Sequence, residues 1–256
     1  MATNSTTSRV CVLIPTYNNG STIATVVQRA AAQGLDVMVV NDGSTDDTAD
    51  QLDACKPTHI VTLPKNSGKG AALKRGFAEA RRLGYDAVIT LDGDGQHYPE
   101  DIPTLLEAHA SNPRAIIVGS RDLNQKNMNA SSNFANRFSN FWFTVQTSIS
   151  LPDTQTGFRL YPLASLHGER LLTARYEAEL LLLVLSAWAG ERLIPIPVRV
   201  YYPPQSERVS HFRPTRDFAR ISVLNTILCL LALVYGYPRL LLTRLLHSLT
   251  PKKRDA

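Results

Sequence analysis

Two carboxylates two residues apart end an apolar run in Val88-Ile89-Thr90-Leu91-Asp92-Gly93-Asp94-Gly95-Gln96. Val88 to Leu91 reads as a buried strand, so Asp92 and Asp94 stand where the chain leaves a sheet. Carboxylates this close repel, and a hard cation such as Mg2+ or Mn2+ is what best keeps both ionised. Such a cation would hold a phosphate-bearing substrate at the C-terminal edge of the sheet. The competing reading is a polar turn capping a helix, since Pro99 suits a first helical turn and Glu100 and Asp101 suit its positive end. Spacing alone does not choose between them.

The elements that must carry this pair alternate. Strands are expected at 9–16, 37–40, 59–63, 85–91 and 115–119. Helices are expected at 21–33, from the capping-box-like Ser44 and Asp47, at 71–82 and at 102–110. The pattern predicts a three-layer α/β fold with a mostly parallel sheet. Ligands of such sheets bind beyond the strand C-termini, where Asp42, Asp92, Asp94 and Arg121 converge. Asn66-Ser67-Gly68-Lys69-Gly70 opens a helix whose backbone N–H groups could face a phosphate. It has neither Walker A spacing nor, with Leu73 where a glycine belongs, the dinucleotide fingerprint.

Further on, 134–149 reads as a helix with an aromatic stripe of Phe134, Phe138, Phe141 and Trp142. Part of that stripe is expected to meet membrane or the C-terminal helices rather than core. Residues 151–161, with Asp153, read as a site loop. Glu177 and Glu179 cannot both face one side of a helix, so at most one serves the cleft, with Glu177 preferred. Pro195 and Pro197 demote the strand at 192–200 to an edge. The basic run at 202–218 is either a solvated face or a diphosphate or headgroup site. Apolar segments at 221–235 and 240–249, broken at Gly236-Tyr237-Pro238, predict a membrane-docking hairpin or a pair of amphipathic helices. The first is about 15 residues, short of the ~20 of a single span.

The 256 residues carry a net charge of +5 and three separated cysteines. The charge suits nucleotides, lipid phosphates or nucleic acid. The acidic pair argues against nucleic acid, which is not expected as a partner. The cysteines form no zinc or disulfide pattern, so a reducing compartment is expected. Residues 1–8 read as a polar tail without signal-peptide character, and 251–256 as a basic tail suited to an anionic membrane surface. The organisation expected is a catalytic domain over 9–215 and an apolar segment over 216–250.

Six ordered motifs carry a resemblance. They are Ile14-Pro15-Thr16-Tyr17-Asn18, Asn41 to Asp46, Asn66 to Gly70, Leu91 to Gln96, Gly119-Ser120-Arg121 and Asp153 to Arg159. Together the chain resembles the family 2 inverting glycosyltransferases of the GT-A fold, and within them the polyprenyl-phosphate sugar transferases. The resemblance implies hexose transfer from a nucleotide sugar to a polyprenyl phosphate at the cytoplasmic face of a membrane. It places Pro15, Tyr17, Asp42, Lys69, Arg208 and Ser210 around the nucleotide sugar. Asp92, Asp94 and Gln96 would surround Mg2+ or Mn2+, and Arg121 and Arg137 would meet the acceptor phosphate. Asn19 departs from the glutamate many relatives carry. The alternative acceptor is a glycan hydroxyl, which needs a general base. Asp153 is the first candidate for that role and Glu177 the second. A nucleotidyltransferase and a non-enzymatic anionic-surface binder are further rivals.

Overall fold

The computed structural model describes residues 8–122, 130–167, 173–175, 177–202 and 214–249. Its strands are β1 (Val10–Thr16), β2 (Asp36–Asn41), β3 (His59–Thr62), β4 (Ala87–Thr90), β5 (Ile116–Ser120), β6 (Arg159–Pro162) and β7 (Leu193–Pro197). They form one sheet in the order β3-β2-β1-β4-β6-β5-β7. All run parallel except β6, which is antiparallel to both β4 and β5. The proline-bearing β7 lies at the sheet edge, as its sequence requires.

Two apolar layers sandwich the sheet because its central strands are buried on both faces. On one face β1 offers Val12 and Ile14 to α1 (Gly20–Ala31), α2 (Thr48–Cys55) and α4 (Ile102–Ser111). On the other, Cys11 and Leu13 meet α3 (Lys69–Arg82), α5 (Ala130–Thr147) and α6 (Glu177–Trp188). The three-layer α/β expectation stands.

Three local expectations change. The stretch read wholly as a site loop ends in β6, a four-residue strand with a buried charge and a terminal proline, which no period-2 pattern betrays. The Ser44–Asp47 cap is replaced. The Asp46 carboxylate takes the N–H groups of Thr48 and Gly20, both at 3.0 Å, tying together the starts of α1 and α2. The C-terminal segment is not a hairpin. Helix α7 (Pro214–Leu231) runs through a π-helical turn (Ala232–Gly236) into α8 (Tyr237–Leu249) without a break. Pro238 lacks an N–H and would crowd the carbonyl four residues back, and the widened turn before it relieves both demands.

Arg220–Leu242 is thus 23 continuous residues, long and apolar enough to cross a membrane. It docks on the body through a polar contact, with Gln146 Nε2 of α5 donating to Asn225 Oδ1 at 2.9 Å. Leu228 and Ala232 pack inward, while Val223, Leu230, Leu233, Val234 and Leu241 face out. Phe134 and Phe141 of α5 are exposed as well, and Phe143 fills the core.

Candidate active site

Pairing of β4 with β1 continues to Leu91, whose N–H donates to Leu13 O at 3.0 Å, and Asp92 and Asp94 follow at the sheet's C-terminal edge. The turn they form is pinned on every side. Asp94 Oδ1 accepts the Gln96 N–H at 3.0 Å, and the Gly93 carbonyl accepts Thr22 Oγ1 at 2.7 Å. The Gln96 carbonyl accepts the Tyr201 N–H at 2.7 Å, and His97 bridges to Val200. Asp101 takes the backbone N–H and Nε of Arg199 at 2.7 and 2.8 Å.

Asp92 Oδ1 lies 2.6 Å from Lys69 Nζ, and the same ammonium lies 2.7 Å from Glu179 Oε2. Burial would weaken the Asp92 acid's ionisation, but Lys69 outweighs it and holds the carboxyl below its ordinary value. Asp94 behaves oppositely. Burial first, and then the charge of Asp92, push it up to about 6. That is the behaviour of the like-charge pair the sequence implied. Two hard carboxylates and the amide oxygen of Gln96 suit Mg2+ or Mn2+, which complete their shells with water and substrate phosphate. No cluster of three or more His, Cys, Asp or Glu ligands exists among the described residues.

A second cluster is built around Asp153. This fully buried carboxylate receives Arg121 Nε on Oδ2 at 2.6 Å. Its Oδ1 accepts Arg121 Nη2 at 3.0 Å, Asn136 Nδ2 at 2.8 Å, and the Gln155 and Thr156 N–H groups at 3.0 and 3.2 Å. Burial opposes its ionisation, but Arg121 and these donors hold the carboxyl below its ordinary value. Both oxygens of this carboxylate are engaged, and the pair of bonds from Nε and Nη2 holds the Arg121 fork in place. Helix α5 braces the same loop, since Asn140 Oδ1 accepts the Thr154 N–H at 2.9 Å and Ser139 Oγ meets Thr154 Oγ1 at 2.8 Å. Arg137, one position after Asn136, is exposed and gives Nε to Asn133 Oδ1 at 3.2 Å.

The glycine turn before α3 is not an open anion site. Asp42, buried after β2, accepts the N–H groups of Ser67 and Gly68, each at 2.7 Å. A β-carbon at Gly68 or Gly70 would stand 2.2 Å from Ala174 O or 2.0 Å from Thr173 O. The glycines therefore admit the backbone of the 173–175 segment. Lys69 leaves this turn for the acidic pair. Pro15 is buried in β1 opposite Val40, and Tyr17 follows at the strand end, half-buried. Arg208, Ser210 and Arg213 lie outside the described residues.

Several site residues escaped the sequence reading. Glu179, not Glu177, is the acid of α6 that reaches the cleft. His97 is buried against the Phe158 ring with Nδ1 unpartnered, and burial drives its pKa down to about 4, so it is neutral. Arg159 is fully buried. It donates Nη2 to Thr154 O at 2.8 Å and Nη1 to Glu179 O and Tyr161 Oη, both at 3.0 Å. Only Glu179 carried a usable signal, its two-residue offset from Glu177.

A mostly parallel sheet with one reversed strand, carrying an acidic pair at its C-terminal edge, is the GT-A arrangement. Residues 11–167 match Glycosyl transferase family 2, and the chain belongs to that family as a glycosyltransferase. It is related in sequence to polyprenyl-phosphate sugar transferases. It is 28% identical over 202 residues to the undecaprenyl-phosphate mannosyltransferase of Micrococcus luteus, covering 74% of this chain and 82% of that protein. It is 36% identical over 127 residues to the polyprenol monophosphomannose synthase of Mycolicibacterium smegmatis, covering 47% and 48%. The fold is also that of glucosyl-3-phosphoglycerate synthase from Mycobacterium tuberculosis, solved with Mn2+, UDP and glucosyl-3-phosphoglycerate. That likeness has a TM-score of 0.59 at 18% identity, over 88% of this chain and 80% of that one.

Proposed function

We propose that this chain transfers a hexose from a nucleotide sugar of the GDP-mannose or UDP-glucose type to a polyprenyl phosphate, with inversion and release of the nucleoside diphosphate. The observation that carries the reading is the Arg121–Asp153 pair. It presents a fixed guanidinium at the cleft while consuming the carboxylate that a hydroxyl acceptor would need as base. A phosphate acceptor is already anionic near neutral pH and needs orientation rather than deprotonation. Sequence kinship to two polyprenyl-phosphate mannosyltransferases supports the same acceptor class.

In this reading Asp92, Asp94 and Gln96 hold Mg2+ or Mn2+, which would offset charge gathering on the leaving diphosphate. Pro15, Tyr17 and Asp42 line the nucleoside side, and Arg208 and Ser210 approach the diphosphate. Arg121 orients the acceptor, with Arg137 at the rim. Asp153 acts through Arg121 as a positioning residue. The outward apolar face of α7 and α8, with the exposed rings of α5, rests on the cytoplasmic face of a membrane and brings the cleft to the headgroup level.

The test is incubation with Mn2+, a short-chain polyprenyl phosphate and a panel of nucleotide sugars, following nucleoside diphosphate and glycolipid together. Glycolipid from one donor, lost in Asp94→Ala, is the expected result. Donor turnover only with water-soluble glycan acceptors would sink the lipid-phosphate reading.

A further inference from the structure

The ammonium of Lys69 is shared. Its side chain is 15% exposed and touches Asp92 Oδ1 at 2.6 Å and Glu179 Oε2 at 2.7 Å. In the reading above, Asp92 must also serve a divalent cation. An ammonium paired with Asp92 alone would then compete with the cation for the same oxygen. Once displaced, it would be left without a counter-charge where desolvation is costly. Glu179 removes that conflict, because it offers the ammonium a second carboxylate.

We propose that Glu179 is a positioning residue that retains Lys69 when Asp92 turns to the divalent cation. Its placement is over-determined. The Glu179 carbonyl accepts Arg159 Nη1 at 3.0 Å, and the other end of that guanidinium grips Thr154 O at 2.8 Å, in the loop that holds Asp153. The acid is thus anchored to the same loop that fixes the acceptor-side arginine. Glu177, two residues earlier, has a buried Oε2 without a hydrogen-bond partner among the described residues.

The inference rests on the metal-assisted reading, and the experiment separates the two. Mn2+ binding to the full-length protein is measured by electron paramagnetic resonance of free Mn2+, with UDP and with GDP in turn. No binding by the wild type with either nucleotide overturns the metal reading itself. If the wild type binds, Glu179→Gln is expected to raise the Mn2+ Kd about 10- to 100-fold, the usual cost of losing an outer-shell partner. In a Lys69→Met background the same substitution should change Kd by less than about threefold, since its route through the ammonium is gone. An equal effect in both backgrounds would show Glu179 to be a plain charge and overturn the inference, as would no effect in either. If Glu179→Gln loses its thermal transition, Glu179→Asp carries the same test. It keeps the charge but withdraws it by one methylene, and it should weaken Mn2+ binding only when Lys69 is present.

Discussion

Gly157 and Asp92 abut so closely that a β-carbon at 157 would stand 2.5 Å from Asp92 Oδ2. The contact is held by the sheet. Thr90 pairs with Arg159 across β4 and β6, and Thr90 Oγ1 donates to the Gly157 carbonyl at 2.7 Å. A side chain at 157 must push the carboxylate aside, because the backbone behind it is fixed.

Gly157→Ala should therefore leave the fold standing and lower kcat by about 10²-fold, the scale on which a small misplacement of a reacting group is felt. Steady-state kinetics alongside a thermal melt tests this. Wild-type kcat in a well-folded variant would mean that Asp92 is free to move.

Asp153→Asn should be far from silent. It leaves the Arg121 guanidinium beside a neutral amide, and breaking a buried ion pair by removing one partner costs about 3–5 kcal/mol. Denaturant unfolding reads that loss. In whatever fraction folds, the KM for the acceptor phosphate should rise more than the KM for the donor. A selective loss of kcat with both KM values intact would instead indicate base catalysis.

Asp94 titrates at about 6 against an ordinary 3.8, through burial and then the charge of Asp92. Between those values the folded protein holds a proton that the unfolded chain has released. The cation-free protein therefore loses stability from this group as pH rises from 3.8 towards 6, with no further loss above. Mn2+ competes with the same proton, so its affinity should climb across that window and level off near neutrality. Calorimetric titration from about pH 5 to about pH 7 measures it, and an affinity flat with pH removes Asp94 from the ligand set.

Leu230 and Val234 project from the C-terminal helix, 63% and 75% exposed. The double substitution Leu230→Glu/Val234→Glu should abolish sedimentation with vesicles of anionic phospholipid, since about 2–3 kcal/mol of apolar insertion per side chain is replaced by repulsion. Donor hydrolysis in detergent-free solution should be unchanged. Retained sedimentation would place the membrane contact elsewhere.

Much of this was legible in the residues. The strands ending at Asp42, Asp92 and Arg121 declare themselves as apolar runs stopped by polar turns, and the prolines of β7 announce an edge. The site's two inner braces were not legible, for physical reasons. Arg159 is a charge inside a four-residue strand, held by two carbonyls and the Tyr161 hydroxyl that come together only in the fold. Asn136, Ser139 and Asn140 sit on the face of α5 opposite its conspicuous aromatics, so their clamp on the 152–156 loop left no periodic trace. The glycines before α3 misled for a related reason. A backbone kept bare for a phosphate and one kept bare for a neighbouring carbonyl have the same composition. The break at Pro238 misled because a π turn can absorb a proline that an α-helix cannot.

The reversed direction of β6 has a consequence for how such an enzyme can diversify. A parallel strand delivers to the cleft whatever follows it, and β4 does so with Asp92 and Asp94. Because β6 runs the other way, it delivers what precedes it, Asp153 to Phe158. The two segments thus enter the cleft from adjacent rungs of one ladder, one outbound and one inbound. The spacing between Asp92 and the loop that holds Arg121 is then a property of strand register. That spacing is set by hydrogen-bonded rungs, so a change of loop length elsewhere in the chain leaves it untouched.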